Sequence, residues 1–376
     1  MNFLCASHTN RPPGRPPDTR NTFSAGNRAD RHKPGIGFAG NPLALRPESW
    51  YNMADITTAI KTEKAENSME NRNKPVIRKH GTIKFGTVES TPIVFRGNLY
   101  RFEYCRPAQS EALAARNPDN PNPWSSFHFI DLRTGRRTPS FARDHHLGCA
   151  FTDGGVMYAV GVDVTWGSDT LHIFSSADLE AWDRIGELRL PGWKIFNTGV
   201  CRSDGGYTLL MEISEPVEEA GTHPFTFRFA RSSDMIHWTL TPRDCVFQKD
   251  RYAGGPAIYT VGDGWYYVLY LEAGPGPTYT NCIARSRDLK SWEYSPLNPV
   301  LMYDPAEDKQ IANPFLTEEE QKQIRDAEDI NNSDLELCEF NGRTILYYSW
   351  GNQRGTEFLA EASFEGSMKA FLEAWF

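Results

Sequence analysis

The chain has 376 residues, with 40 Lys and Arg against 48 Asp and Glu for a net charge of −8, and it is 12% aromatic. That acidic balance offers no basic footprint for nucleic acid, and no apolar run approaches the ~18 residues that cross a membrane. The length suits two or three average domains, or one closed all-β architecture.

Residues 1 to 75 differ in character from the remainder of the chain. Arg11-Pro12-Pro13-Gly14-Arg15-Pro16-Pro17 and the Asn-, Arg- and Gly-rich continuation bury too little apolar surface to order themselves. The expectation is a disordered N-terminal extension, with a targeting or docking arm as the alternative. Ile56 to Glu70 is mildly helical but highly charged, and Met53 and Met69 both precede workable domain starts. The opening Met1-Asn2-Phe3-Leu4-Cys5-Ala6 has neither the charged head nor the apolar length of a secretory signal.

Residues 76–376 read as one all-β domain. Thr91-Pro92-Ile93-Val94-Phe95 turns through Gly97-Asn98 into Leu99-Tyr100-Arg101-Phe102. Similar pairs turn at Asp153-Gly154-Gly155, Asp204-Gly205-Gly206, Gly262-Asp263-Gly264 and Asn341-Gly342. Short β-branched and aromatic runs around such turns are hairpins. A second phrase, Ser-x-Asp followed by an apolar residue, two spacers and Trp, occurs at Ser176 to Trp182, Ser232 to Trp238 and Ser286 to Trp292. Recurrence at about 55 residues marks a repeated unit. Five units of about four strands predict a five-bladed β-propeller. The aspartates of the second phrase read as turn formers and its tryptophans as packing between blades.

In such a blade the inner strand starts, and the antiparallel second strand ends, on one face. Strand-one heads and strand-two tails therefore converge on one rim. That rim offers Glu89, Glu103, Tyr104 and Arg106, then Arg143, Asp144, His145, His146, Asp163 and Trp166. It continues with Asn197, Glu212 and Glu215, then Arg251, Tyr252 and Glu272. The last blade adds Asn331 to Asp334, Trp350, Asn352, Gln353 and Arg354. Carboxylates, amides and indoles around a concave mouth suit a carbohydrate, and paired carboxylates supply acid and base for glycosidic cleavage.

Several phrases resemble the five-bladed glycosidase propellers of glycoside hydrolase families 43 and 117. They are Glu89 to Tyr100, Gly254-Gly255-Pro256-Ala257-Ile258-Tyr259, Ser286 to Trp292 and Ser333 to Gly342. Resemblance to family 43 implies an inverting mechanism with a base in blade 1, a tuning Asp in blade 3 and an acid in blade 4. Glu89 matches the first position, while Asn197 and Gly254 stand at the other two. The expected replacements are Glu212 and Glu272, with Asp163 behind them, because a carboxylate closing an apolar strand is desolvated and its pKa rises. Substrate contacts are expected from Arg106, His145, His146, Trp166, Asn197, Tyr252, Asp334, Trp350 and Asn352. For His145-His146 the options are orienting a carboxylate, ligating a channel cation, binding phosphate with Arg143, or occupying a loop.

The function expected is a glycoside hydrolase acting on plant- or algal-type oligo- or polysaccharides, releasing furanose or anhydro-sugar units. The alternatives are a non-catalytic sugar-binding propeller and a glycoside phosphorylase using Arg143, His145, His146 and Arg251. No cofactor is called for; a channel cation such as calcium stays open but is not indicated. The expected partner is a carbohydrate, with no nucleic acid and no membrane; nothing in the pattern fixes an oligomeric state. Seven unclustered cysteines read as buried thiols and favour a reducing, cytoplasmic compartment. An insertion over 304–329 carries a helix start at Thr317-Glu318-Glu319-Glu320, read as a rim wall or a solvated helix. Ser367 to Phe376 reads as a short amphipathic helix docked on blade 5.

Overall fold

The computed structural model describes residues 74–105, 125–163, 167–221, 225–276, 278–352 and 357–376. The expected N-terminal extension, up to residue 73, lies outside them, as do Arg106 and Trp166. The described residues belong to one compact unit. Strand β1 (Arg78–Phe85) comes first, followed by a meander of β2 (Thr91–Phe95), β3 (Asn98–Cys105) and β4 (Ser126–Asp131). The second meander is β5 (His145–Asp153), β6 (Val156–Asp163), β7 (Thr170–Ser176) and β8 (Asp183–Arg189). The third is β9 (Lys194–Ser203), β10 (Gly206–Glu215), β11 (Thr226–Ser232) and β12 (Thr239–Leu240), with helix α1 (Val217–Ala220) inserted after β10. The fourth is β13 (Gly254–Tyr259), β14 (Tyr266–Ala273), β15 (Tyr279–Ser286) and β16 (Glu293–Tyr294). The last holds β17 (Asn331–Phe340), β18 (Arg343–Gly351) and β19 (Glu357–Phe364). It joins the fourth in one hydrogen-bonded sheet through a parallel contact of Tyr279 with Asn331.

The first strands touch in sequence order, β2 to β5 to β9 to β13 to β17, and β17 touches β2 again. Strand β1 does not begin the first meander. It pairs antiparallel along β19 instead, from Arg78 opposite Ser363 to Phe85 opposite Phe358. The two ends of the domain are thereby sewn into one sheet.

The hairpin glycines are required by geometry. At Gly206 (φ +149°) a Cβ would come within 2.1 Å of the Ser232 carbonyl oxygen. The Ser-x-Asp phrases form one turn built three times. The Ser176 hydroxyl accepts from the N–H groups of Asp178 and Leu179, and Asp178 Oδ1 accepts from those of Glu180 and Ala181. Asp234 and Asp288 accept in the same way. The apolar residues Leu179, Met235 and Leu289 are buried at positive φ, a conformation their side chains tolerate only because the turn over-determines it. Trp182 stacks on Phe141 at 3.7 Å and on Phe129 of the preceding meander. Trp292 likewise reaches Phe229 of the third meander.

The insertion contains α2 (Pro305–Asp308) and α3 (Glu318–Asp326); Thr317 and Glu320 cap α3 reciprocally. It lies against β1 and the head of β17. The buried Asp308 pairs with Lys79 at 2.8 Å and accepts from Tyr348 Oη and Asn332 Nδ2. Helix α4 (Met368–Glu373) buries Phe371 and Leu372, with Trp375 just beyond it. Ser295 donates to the Trp375 carbonyl, so this helix spans the fourth meander as well as the last. The six described cysteines are buried.

Candidate active site

Three chain segments bring carboxylates together beside a fourth, β13, and all four are locally distorted. Glu89 (φ +52°) precedes β2 and Asp334 (φ +51°) sits near the head of β17, both in the left-handed region that a Cβ disfavours. The ladder slips between Ser333 and Glu336 in β17 and between Gly254 and Ala257 in β13. The β9–β10 ladder also slips, beside Glu212, between Met211 and Ile213. Bulges of this kind re-aim side chains and concentrate beside active sites.

Glu212, on β10, is only 3% exposed. Its Oε2 accepts from Asn197 Nδ2 at 2.9 Å and from the Gly255 N–H at 3.3 Å. Burial pushes its pKa up to about 8, the Asp334 charge adds to the rise, and the two neutral donors offset it only in part. Burial also raises the Tyr252 phenol well above its ordinary value, and the charges of Glu212, Asp334 and Glu89 raise it further. That shared field ties Tyr252 to three carboxylates on β10, β17 and the approach to β2. A fourth acid, Glu336, is pushed to about 7 by burial and by Asp334, eased by a 2.8 Å hydrogen bond from Tyr259 Oη. The sequence named Asp334 only as a binding residue and did not name Glu336. The alternation of acids with buried residues in Ser333-Asp334-Leu335-Glu336 was the signal available.

The two glycines of β13 make this approach possible. A Cβ on Gly255 would lie 2.5 Å from Asp334 Oδ1. A Cβ on Gly254 would meet Tyr252 Oη at 2.2 Å and Glu212 Oε1 at 3.2 Å. The space in front of residue 254, where the family resemblance calls for a glutamate, is filled by Tyr252 and a carboxylate from the neighbouring meander.

Other expected site residues are placed differently. Trp350 is 1% exposed, stacks on Phe358 at 4.3 Å and donates from Nε1 to Thr82 Oγ1. It is a core residue and cannot present its face to a sugar. Glu272 pairs with Arg251 at 3.3 Å and accepts from Tyr270 Oη. Asn352 donates to Glu328 of the insertion, and His146 is half-buried on β5 opposite Val162. Glu103 is locked in a buried network with Lys84, Arg101 and His128.

Asp163 lies with histidines. Its Oδ1 is 3.9 Å from both His145 Nε2 and His172 Nδ1, and those two nitrogens are 2.7 Å apart. Burial lowers the His145 pKa, and the neighbouring His172 adds to the fall. His172 lies in the run Leu171-His172-Ile173-Phe174 of β7, a third strand, and so is neither a strand-one head nor a strand-two tail.

No family model matches the chain, and no curated protein matches it in sequence. In fold it is similar to solved glycoside hydrolases. An α-L-arabinofuranosidase from Lactobacillus brevis is 11% identical at a TM-score of 0.51, over 76% of this chain and 92% of that one. Another glycoside hydrolase is 14% identical at a TM-score of 0.50, over 81% of this chain and 94% of that one. The GH43B protein of a Bacteroides ovatus xyloglucan PUL is 13% identical at a TM-score of 0.47, over 76% of this chain. The chain spans about half of that protein's length, 54%. At such identities the likeness is one of fold.

Proposed function

We propose that the five meanders are the blades of a closed five-bladed β-propeller, and that the chain is an inverting glycoside hydrolase acting on plant- or algal-type oligosaccharides. The ring of contacts among the first strands and the closure of β19 by β1 support the architecture. One observation carries the chemistry. Glu212 is buried with neutral hydrogen-bond donors and a pKa of about 8, so it holds a proton at neutral pH, as a general acid must. Glu89 is the general base that activates water. Burial keeps Glu212 protonated and the Asp334 charge adds to that, while Asn197 fixes the orientation of its carboxyl. Likeness in fold to an α-L-arabinofuranosidase makes terminal furanosides the first substrates to try.

The phosphorylase alternative is weakened because its cations are engaged. Arg251 pairs with Glu272 and Arg143 with Asp144. A sugar-binding propeller without catalysis draws support from Asn197 and Gly254 standing where the resemblance calls for acids. The test is sugar release from aryl furanosides and pyranosides with and without phosphate, with the anomer of the product read by NMR. Hydrolysis with inversion, independent of phosphate and reduced ~10²–10⁴-fold in Glu89→Gln, is the expected result. Glu212→Gln is expected to lose most on poor leaving groups and least on activated aryl glycosides. Sugar binding with no release by the parent protein would favour the binding module.

A further inference from the structure

We propose that His145, His172 and Asp163 form a binding site for a divalent transition-metal ion of the zinc class, separate from the Glu212 carboxylates. The three side chains come from β5, β7 and β6 of the second meander, and their ligating atoms lie within 4.8 Å of one another. Two imidazoles and one carboxylate are a donor set for zinc, cobalt or iron rather than for calcium or magnesium, which take oxygen.

The hydrogen bonds around the rings admit a cation between them. His145 Nδ1 is 2.8 Å from the Arg143 carbonyl, which only accepts, so Nδ1 carries the proton and Nε2 presents its lone pair. That lone pair faces His172 Nδ1 at 2.7 Å. The other His172 nitrogen, Nε2, lies 3.1 Å from Glu187 Oε2 and 3.1 Å from Arg184 Nη1. Two arrangements of a neutral His172 are open here. With its proton on Nδ1, His172 donates to His145 and accepts from Arg184. With its proton on Nε2, it donates to Glu187, Arg184 must turn to that carboxylate, and two lone pairs converge beside Asp163. The second arrangement holds only with a cation at the convergence point. It is also the usual support of a metal-bound histidine, whose far nitrogen donates to a carboxylate or a carbonyl.

Distances fit with small adjustment. Ligand atoms about 2.0–2.1 Å from a tetrahedral zinc are about 3.3 Å apart. The observed separations of 2.7, 3.9 and 3.9 Å straddle that value. Asp163 and His172 also line an open cleft of about 440 Å³. Three protein ligands beside solvent leave a fourth position for water, the pattern of an open rather than a closed zinc site.

The test uses the full chain, stripped with a chelator and then dialysed. Calorimetry with zinc chloride should give one ion per chain, and cobalt should give visible d–d absorption that zinc abolishes. Asp163→Asn and His172→Ala should each weaken zinc binding at least tenfold, and Glu187→Gln about 10–100-fold. His237→Ala, altering an exposed histidine in the Ser-x-Asp turn, should leave it unchanged. Asp163 is 32% exposed, so Asp163→Asn and Glu187→Gln keep the test open if His172→Ala does not fold. Zinc should raise the melting temperature of the parent and not that of Asp163→Asn. Absence of stoichiometric binding, or binding that Asp163→Asn and Glu187→Gln leave unaltered, would overturn the assignment.

Discussion

Glu103 and Glu212 lie toward the ends of the second strands of the first and third meanders, 2% and 3% exposed. They nonetheless end in opposite protonation states. Burial pushes the Glu103 carboxyl up, but Arg101 at 2.6 Å, Lys84 at 2.7 Å and His128 at 3.0 Å hold it well below the ordinary carboxylate range. Glu212 has an amide and a backbone N–H, and it rises to about 8. The facing residue on the third strand is His128 for Glu103 and Phe227 for Glu212. Equal burial thus makes one carboxylate a structural anion and the other a proton donor, and the partners decide which.

The largest expected effect stems from where Lys84 resides. A chain starting at Lys74 keeps β1 and should retain the parent melting temperature. One starting at Gly86 loses both the Lys84 partner of Glu103 and the strand that completes the last sheet, and it should not fold cooperatively. Equal melting curves for the two would break the closure account. Next comes Glu103→Gln, which leaves Lys84 and Arg101 buried without their anion. Breaking a buried pair costs about 3–5 kcal/mol, measurable by urea unfolding. Glu212→Gln replaces a protonated carboxyl by an amide of the same shape and should cost under about 1 kcal/mol at pH 7.

Gly255→Ala sharpens the contrast from a third side. A Cβ there adds left-handed strain and crowds Asp334 Oδ1, at about 1–3 kcal/mol. By displacing the charge that helps raise Glu212, it should also lower the pKa of that group. An unchanged Glu212 titration in a folded Gly255→Ala protein would remove Asp334 from the account.

The pH dependences carry opposite signs. Glu103 is depressed in the folded state, so its contribution is present above the ordinary value of 4.5 and is lost as acid titrates the folded group. Glu212 is raised, so the folded state binds the extra proton between 4.5 and about 8. Its contribution is therefore complete below 4.5 and fades as pH rises through about 8. Between pH 6 and 9 the parent should lose stability relative to Glu212→Gln, by roughly 1–3 kcal/mol. A constant difference across that range would contradict the raised pKa.

The hairpins and the three Ser-x-Asp turns were legible in the sequence because each is a local pattern whose hydrogen bonds close within a few residues. Glu212 was legible because it ends the apolar run Tyr207-Thr208-Leu209-Leu210-Met211. Strand β1 was not, since Arg78-Lys79-His80-Gly81-Thr82 carries charge and glycine, and its partner β19 lies at the far end of the chain. Trp350 was misjudged because a place at a strand end does not fix exposure: Thr82 and Phe358 cover the indole. His172 escaped because strand alternation marks which face a residue takes, not which histidine waits across the sheet.

The most direct test of the central claim is the titration of the glutamate side-chain carbons by ¹³C NMR, comparing the parent protein with Glu212→Gln and Glu103→Gln. One carboxyl carbon should titrate near pH 8 and disappear only in Glu212→Gln, and another should stay ionised through mildly acidic pH and disappear only in Glu103→Gln. Loss of no alkaline-titrating resonance in Glu212→Gln, with that carboxyl ionised at neutral pH, would contradict it.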